Sequence, residues 1–577
     1  MTDLPKLFGE GQRALIKIGG MSCSDCEHHI KTALKEAGVN EIEASWKKGE
    51  ARFTWTAGIS DSALKDAVQA AGYHPGEVSV QEHISNQELQ ENTPVRSVKT
   101  EKKTEMTYDK ESHADYDLII IGAGSAAFAG AIKASEAGYH VAMVEKGTIG
   151  GTCVNIGCIP SKALLRAGEA YWQNGHHPIE GISTSTGSID LGAVVAQKDT
   201  LVADLRKAKY TDLIADYGFE VIQGAARFTD PRTIEVNGDS ISARVFIIAT
   251  GASPAIPPIP GLSDTDYLTS TTALDLKDIP DRLAVIGANA IGLELGQFFQ
   301  HVGSSVTFID IADRIAPFEE PEVSAVLSQV ITDQGGSVYV GAQVLKVNQA
   351  KDHIDIYISV AGKQVVIPVD KVLVATGRRP NTEELDLASA GIETGVTGAI
   401  AVDSRLRTTN SRVFAAGDVT GAPQFVYVSA YEGVLAVDNA LLDAGREIDL
   451  RGLPRVTFTL PQIASAGITE SQARKSGRDI VVSVLPLSAV PRALVNHDTA
   501  GLVKLVADAA TRQLLGASII SENAGEIIQS AVLTIRHNIT VDELADTFYP
   551  YLTMAEGIKL AAQSFDRDVS KLSCCAA

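Results

Sequence analysis

Apolar and polar positions change their period several times within the first eighty residues. ALIKIGGM reads as extended, CEHHIKTALKEAG as helical, IEASW and ARFTW as extended, SDSALKDAVQAAG as helical, and a short strand closes the run. Alternation at period two marks half-buried strands, and recurrence at three and four marks amphipathic helices, so residues 14–80 are expected to fold βαββαβ. Residues 81–114 are polar, charged and poor in large apolar side chains. Such a composition cannot bury a core, and a flexible tether is expected there. Regular βα alternation starts at YDLIIIGAG and recurs at RLAVIGANAIG, which predicts two parallel sheets flanked by helices. Beyond about Arg451, VTFTLPQIASAG and AGLVKLVADAATRQLLGASII read as hairpins of an antiparallel sheet, followed by helices over 524–537 and 541–545. The expected division is a small domain at 1–80, a linker at 81–114, a first nucleotide-binding domain in two parts at 115–265 and 396–450, a second at 266–395, and an α+β domain at 451–577.

Composition narrows the class. A chain of 577 residues is too long for one core, and 45% hydrophobic residues with 50 glycines fit an α/β protein rich in tight turns. The formal net charge of -21 repels nucleic acid and anionic membrane, so neither is expected as a partner. The opening MTDLPKLFGEGQR has no basic stretch followed by an apolar run, and no segment reaches the ~20 apolar residues of a membrane span. The reducing cytoplasm is the expected location.

The six cysteines fall into three close pairs, Cys23/Cys26, Cys153/Cys158 and Cys574/Cys575. Disulfide frameworks belong to short secreted chains, whereas thiolates are soft ligands and a close pair can also cycle between dithiol and disulfide. Soft-metal handling and redox chemistry are therefore the two hypotheses. In GGMSCSDCEHHIKTAL the first pair sits just before a helix and in its first turn, where backbone N–H groups and the helix dipole favour thiolate. The segment from about Gln12 to Val80, with its GMxCxxC loop and closing Ala71-Gly72-Tyr73, resembles the heavy-metal-associated domain. That resemblance implies a ferredoxin-like fold holding a soft metal at Cys23 and Cys26, and a thioredoxin-like redox use is the alternative. His28 and His29 are expected to be solvated surface residues.

YDLIIIGAGSAAFAGAIKASEAGYHVAMVEK carries a dinucleotide fingerprint. Gly122 permits the tight turn, Gly124 lets a pyrophosphate approach the helix start, Ala127 allows close packing, and Glu145 can accept a ribose hydroxyl. GGTCVNIGCIPSKALL follows, and it resembles the redox-active motif of the flavin-dependent pyridine nucleotide-disulfide oxidoreductases. The resemblance runs from about Asp115 to the carboxyl end and implies two Rossmann-like domains for FAD and NAD(P), followed by a dimerisation domain. By it, Cys158 lies against the flavin as a charge-transfer thiolate, Cys153 is the interchange thiol, and Lys162 sits near the flavin N5 edge with Glu294 as ionic partner. Thr250 and Gly251 close a turn, Ala375-Thr376-Gly377 closes a second, and Asp418 meets the flavin ribityl chain. RLAVIGANAIGLELGQ repeats the fingerprint for a nicotinamide dinucleotide, with Gly287 and Gly292 in place. Asn289 replaces the middle glycine, a departure expected to make pyrophosphate approach less comfortable.

Two carboxyl-terminal features narrow the expected substrate. Disulfide reductases of the family place a His five residues before a Glu, acting across the dimer as acid-base catalyst. Here FYPYLTMAEG keeps Glu556 and puts Tyr551 at the His position. A phenol with pKa near 10 is a poor base at neutral pH, so organic disulfides should be poor substrates. The chain then ends KLSCCAA, and with the first domain this resembles the Hg(II)-reducing members of the family. The resemblance implies a cytoplasmic homodimeric FAD enzyme with active sites shared across subunits. Hg(II) and its thiol complexes would pass from Cys23/Cys26 to Cys574/Cys575 of the partner subunit and on to Cys153/Cys158. Tyr210 and Tyr551 match the two tyrosines lining the inner metal site. Those members use NADPH, whereas Asp310, at the end of VTFID, occupies the position of an acid that favours NADH, with Arg314 the nearby cation. The rivals are a disulfide reductase fused to a metal domain and a metal-sequestering carrier with a relic flavin domain.

Overall fold

The computed structural model describes residues 13–20, 24–45, 48–54, 59–80, 114–421 and 423–571. Cys23, Cys574, Cys575 and nearly all of the expected tether lie outside the described residues. The chain divides into two units, residues 1–110 and 111–577.

In the first unit the strands Arg13–Gly19, Asn40–Ser45, Glu50–Thr54 and His74–Val80 alternate with helices α1 (Ser24–Glu36) and α2 (Asp61–Ala70) in the expected βαββαβ order. The first strand pairs antiparallel with both the third and the fourth, so it sits inside the sheet. Four-residue spacing puts Cys26, Ile30 and Leu34 on the buried stripe of α1, and Leu64 and Val68 on that of α2. These stripes share a core with Ile16 and Phe53. Ser60 starts α2 by accepting the Ala63 N–H.

The second unit opens on Tyr116–Ile121, whose continuous apolar run is buried from Leu118 onward, as a strand covered on both faces requires. It pairs parallel with Val141–Glu145 and Asp239–Ile248. Helices α3 (Ser125–Glu136), α4 (Gly151–Ile156), α5 (Cys158–Gln173), α6 (Leu191–Arg206) and α7 (Asp212–Tyr217) follow, with a π-helical turn at Lys207–Thr211 between the last two. A second parallel sheet is ordered Ser337–Tyr339, Ser305–Ile309, Arg282–Ile286, Lys371–Val374. It carries α8 (Ala290–His301) and α9 (Pro321–Asp333). Afterwards the chain returns to the first sheet, where Val413–Ala415 pairs with Asp239–Ile248, and α10 (Val426–Ala440) packs on α3.

The final region forms the expected antiparallel sheet, ordered Pro454–Thr457, Gln462–Gly467, Leu514–Ser521, Leu502–Asp508, Ile480–Pro486. Helices Ala524–Arg536, Val541–Asp546 and Glu556–Gln563 follow it. Lys504, fully buried in this sheet, pairs with Glu320 and Glu322 at the start of α9 and with Glu470. A buried ammonium requires such compensation, and the cluster pins the sheet to the second nucleotide fold.

Candidate active site

Both fingerprints fold to the same geometry. Gly122 and Gly287 take φ of +115° and +100°, and a Cβ on either would stand 2.3 or 2.4 Å from a carbonyl oxygen, of Ala249 or Ala375. Glycine is therefore required at each turn. Gly124 and Asn289 then start α3 and α8 with extended backbone and no side-chain cap. Asn289 needs no left-handed conformation, so the departure from glycine leaves the backbone of the turn unchanged. Uncapped helix starts offer N–H groups to a pyrophosphate. Ala127 is buried beside the first turn, and a Cβ on Gly292 would lie 1.9 Å from the Gly287 carbonyl.

A cleft of about 290 Å³ opens between the two glycine-rich sides of the first fold, lined by Gly122, Glu145, Lys146, Thr250 and Asn381. Glu145 accepts the Gly147 N–H at 2.6 Å, which fixes its carboxylate in the cleft lining. Asn381 holds the Thr250-Gly251 turn through three hydrogen bonds. Asp418 faces Arg378, Oδ2 to Nε 3.6 Å, and burial raises its pKa against that cation. Among the described residues Arg378 Nε has no hydrogen-bond partner, as expected of a donor kept for a bound polar group. These residues fit FAD, which Glu145, the start of α3 and Asp418 would hold.

Cys153 lies in α4 and Cys158 is the first residue of α5, with Gly157 between the two helices. Both are free thiols. Their mutual hydrogen bond is the main cause of an asymmetry: it lowers Cys158 to a pKa of about 7 and raises Cys153 well above the ordinary thiol range. Burial opposes ionisation of both, while the Lys162 ammonium favours it. Cys158 is thus the more acidic thiol of the pair and the one that ionises near neutral pH, as its place at a helix N-terminus also favours. Lys162 Nζ meets Glu294 Oε2 at 2.6 Å, the expected ion pair. Asn155, between the cysteines, bonds the carbonyls of Ile149 and Gly151 and takes Arg206 Nη1 at 3.0 Å, which ties the end of α6 to the cysteine loop.

Tyr210 sits in the π-helical turn. Leu191, Val195, Lys198 and Val202 are buried along α6, whereas Tyr210 and Ile214, in and after the turn, pack against the core of the first nucleotide fold. The Tyr210 ring meets Phe128 edge-on at 4.8 Å. Its pKa is raised first by burial and then by its proximity to the cysteine pair, Cys153 and Cys158, so the phenol shares the cysteine pocket. Tyr551 is 52% exposed in the single chain, while Glu556 is buried and accepts the Leu552 N–H. Asp310 Oδ2 accepts the Ala288 N–H at 2.6 Å and Oδ1 the Ala312 N–H at 2.8 Å, so it braces the second glycine turn. Arg314 is folded onto the Pro317 carbonyl at 2.8 Å. Three contributors carry no motif. Arg378 follows the second Ala-Thr-Gly turn, the one available signal. Glu432, on α10, accepts the Gly417 N–H at 2.6 Å, and Phe458 donates its N–H to Glu294 Oε1 at 2.9 Å.

The profile of the pyridine nucleotide-disulphide oxidoreductases matches residues 116–433, and that family's dimerisation domain matches residues 453–562. The heavy-metal-associated domain matches residues 15–74. A solved structure of the HOCl-induced flavoprotein disulfide reductase RclA from Escherichia coli, as a Cu(II) complex, superposes with a TM-score of 0.70 at 31% identity, covering 78% of this chain and 99% of its own. The protein is an FAD-dependent oxidoreductase that also takes a pyridine nucleotide. A mercuric reductase of Staphylococcus aureus is 51% identical across 97% of this chain and 98% of its own length, and one of Bacillus cereus is 47% identical across 97% and 86%. The chain belongs to the mercuric reductases of the pyridine nucleotide-disulphide oxidoreductase family.

Proposed function

We propose that the protein reduces Hg(II) to Hg(0) at Cys153 and Cys158, with electrons from NADPH or NADH, in mercury detoxification. The observation that carries the choice of substrate is Tyr551 beside the buried Glu556, where a disulfide reductase needs an imidazole. FAD, when bound, would supply the two electrons of a hydride to the ion held by the cysteine pair. The chain supplies the rest: Lys162 and Glu294 fix the charge beside Cys158, Cys158 presents the thiolate, and Cys153 and Tyr210 complete the ligand set around the ion. A soft ion moves by exchange of one thiolate at a time. Overall, a bis-thiol complex of Hg(II) accepts two electrons, Hg(0) leaves, and two thiol groups are released, one as thiolate and one carrying the proton.

Around this centre, Cys23 and Cys26 capture the ion, and Cys574 and Cys575 of a second copy hand it inward, which requires a homodimer. Reduced thiols throughout require the cytoplasm. Among the described residues no helix is long and apolar enough to cross a membrane. The test compares NADPH oxidation driven by Hg(II), lipoamide and glutathione disulfide in one preparation. Hg(II) should dominate. Organic disulfides reduced at comparable rates would overturn the assignment.

For the nicotinamide, the braced Asp310 carboxylate opposes a 2'-phosphate and Arg314 is engaged with the backbone. NADH should therefore support substantial turnover, and Asp310→Ala should move the ratio of kcat/KM toward NADPH. A strong wild-type preference for NADPH, insensitive to Asp310, would show that other residues read the phosphate.

A further inference from the structure

Lys162 carries its charge on a flexible four-carbon stem whose side chain is 35% exposed. A single ion pair at such a site holds a lysine weakly, because solvent screens it and rotamer entropy opposes it. A second restraint comes from the far end of the chain. The loop from Phe458 to Pro461, between two strands of the last sheet, is fastened to α8 by three hydrogen bonds. Phe458 N–H donates to Glu294 Oε1 at 2.9 Å, Leu460 N–H to Gln297 Oε1 at 2.6 Å, and Gln297 Nε2 to the Leu460 carbonyl at 2.8 Å. Gln297 is fully buried, so the loop cannot slide along α8 without taking the Leu460 N–H from its Oε1 and leaving its Nε2 only the Gln334 side chain. The Phe458 ring is itself part-exposed, yet these bonds place its face 4.7 Å from Lys162 Nζ.

We propose that Phe458 is a positioning residue for Lys162: its ring and its backbone N–H, acting through Glu294, fix the ammonium at the flavin edge. One carboxylate serves both partners, with Oε2 on Lys162 and Oε1 on Phe458, while the ring supplies a second attractive face through its quadrupole. The loop of the dimerisation domain thereby sets the cation beside the flavin site. The inference rests on the placement of Lys162 at the flavin.

The test uses full-length, FAD-loaded protein with Phe458→Leu and Phe458→Tyr. Acylation of Lys162 by an amine-directed reagent, read by peptide mass spectrometry, reports its restraint independently of turnover. Phe458→Leu should raise that rate about two- to fivefold, the size of a part-exposed cation–π contact. It should also slow flavin reduction by a similar factor, make the flavin midpoint potential more negative, and leave KM for the nicotinamide within about twofold. Phe458→Tyr should restore wild-type values. Wild-type acylation and potential in Phe458→Leu, or a Tyr variant that behaves like Leu, would overturn the proposal. If Phe458→Leu fails to load FAD, Phe458→Trp carries the test: slower acylation than wild type supports the proposal, and equal or faster acylation overturns it. Acylation that changes without any change in potential or flavin reduction retains the contact but overturns the placement of Lys162.

Discussion

Cys26 and Cys158 both sit at the start of a helix, and the two surroundings differ in how far along the chain they reach. Cys26 is the third residue of α1, 8% exposed, on one stripe with Ile30 and Leu34 above a core of ten buried residues. The buried residues beneath it span only Ala14 to Val68. Cys158 starts α5 and is surrounded by Cys153, Lys162, Tyr210 and Glu294, drawn from four helical segments. That assembly breaks the symmetry of its pair, leaving one thiol protonated and the other at about 7. A local thiol pair suffices to capture and release a soft ion. Delivering electrons to it takes the long-range assembly.

The comparison breaks first at the catalytic pair. Cys158→Ser should lower Hg(II) turnover by about a thousandfold or more while FAD stays bound, as loss of a group acting as one unit with its partners does. Cys26→Ser should leave turnover nearly unchanged when Hg(II) arrives on abundant small thiols. Equal losses would put both pairs in the chemistry.

Stability should separate the units next. Burial raises Glu432 from 4.5 to about 7, helped by Asp418 and opposed by the Gly417 N–H. A buried acid with a raised pKa binds its proton more tightly when folded, so stability is highest below 4.5, falls between 4.5 and about 7, and stays low above. Glu432→Gln should stabilise the catalytic unit by up to about 3 kcal/mol at pH 8 and change little at pH 4. Thermal unfolding followed by flavin fluorescence reads this. A flat pH difference between variant and wild type would contradict the assignment.

Tyr551→His should lower Hg(II) reduction about tenfold and raise lipoamide reduction slightly, since the imidazole and Glu556 recreate an acid-base pair. Steady-state rates with both substrates decide it. The smallest effect belongs to the first unit. A chain starting at Asp115 should fold, bind FAD and lose only a few-fold in rate, and only when carrier thiol is scarce, because a tethered unit acts by local concentration. Abolished activity at every thiol level would make that unit part of the active site.

The same contrast explains what was legible in the sequence. The βαββαβ order, the two glycine turns and the final hairpins follow from local periodicity and turn chemistry, and each is present in the fold. The Lys162–Glu294 pair came from family resemblance and forms, although 132 residues separate its members. Asn289 starts α8 with extended backbone, so the turn itself does not require glycine there, which a sequence does not display. The π-helical turn under Tyr210 was invisible, since an extra helical residue leaves no local mark. Glu432 carries no signal in the sequence, because its burial depends on α10 packing against α3. Phe458 lies 164 residues from the carboxylate it meets, in a loop whose place only the folded sheet defines.

The central claim is that Hg(II) itself receives the two electrons at Cys153 and Cys158. Enzyme holding one equivalent of Hg(II) per flavin, mixed anaerobically with one equivalent of NADPH, should release one equivalent of volatile Hg(0) for each NADPH oxidised, and Cys158→Ser should release none. NADPH oxidised without Hg(0), or Hg(0) released equally by Cys158→Ser, would contradict it.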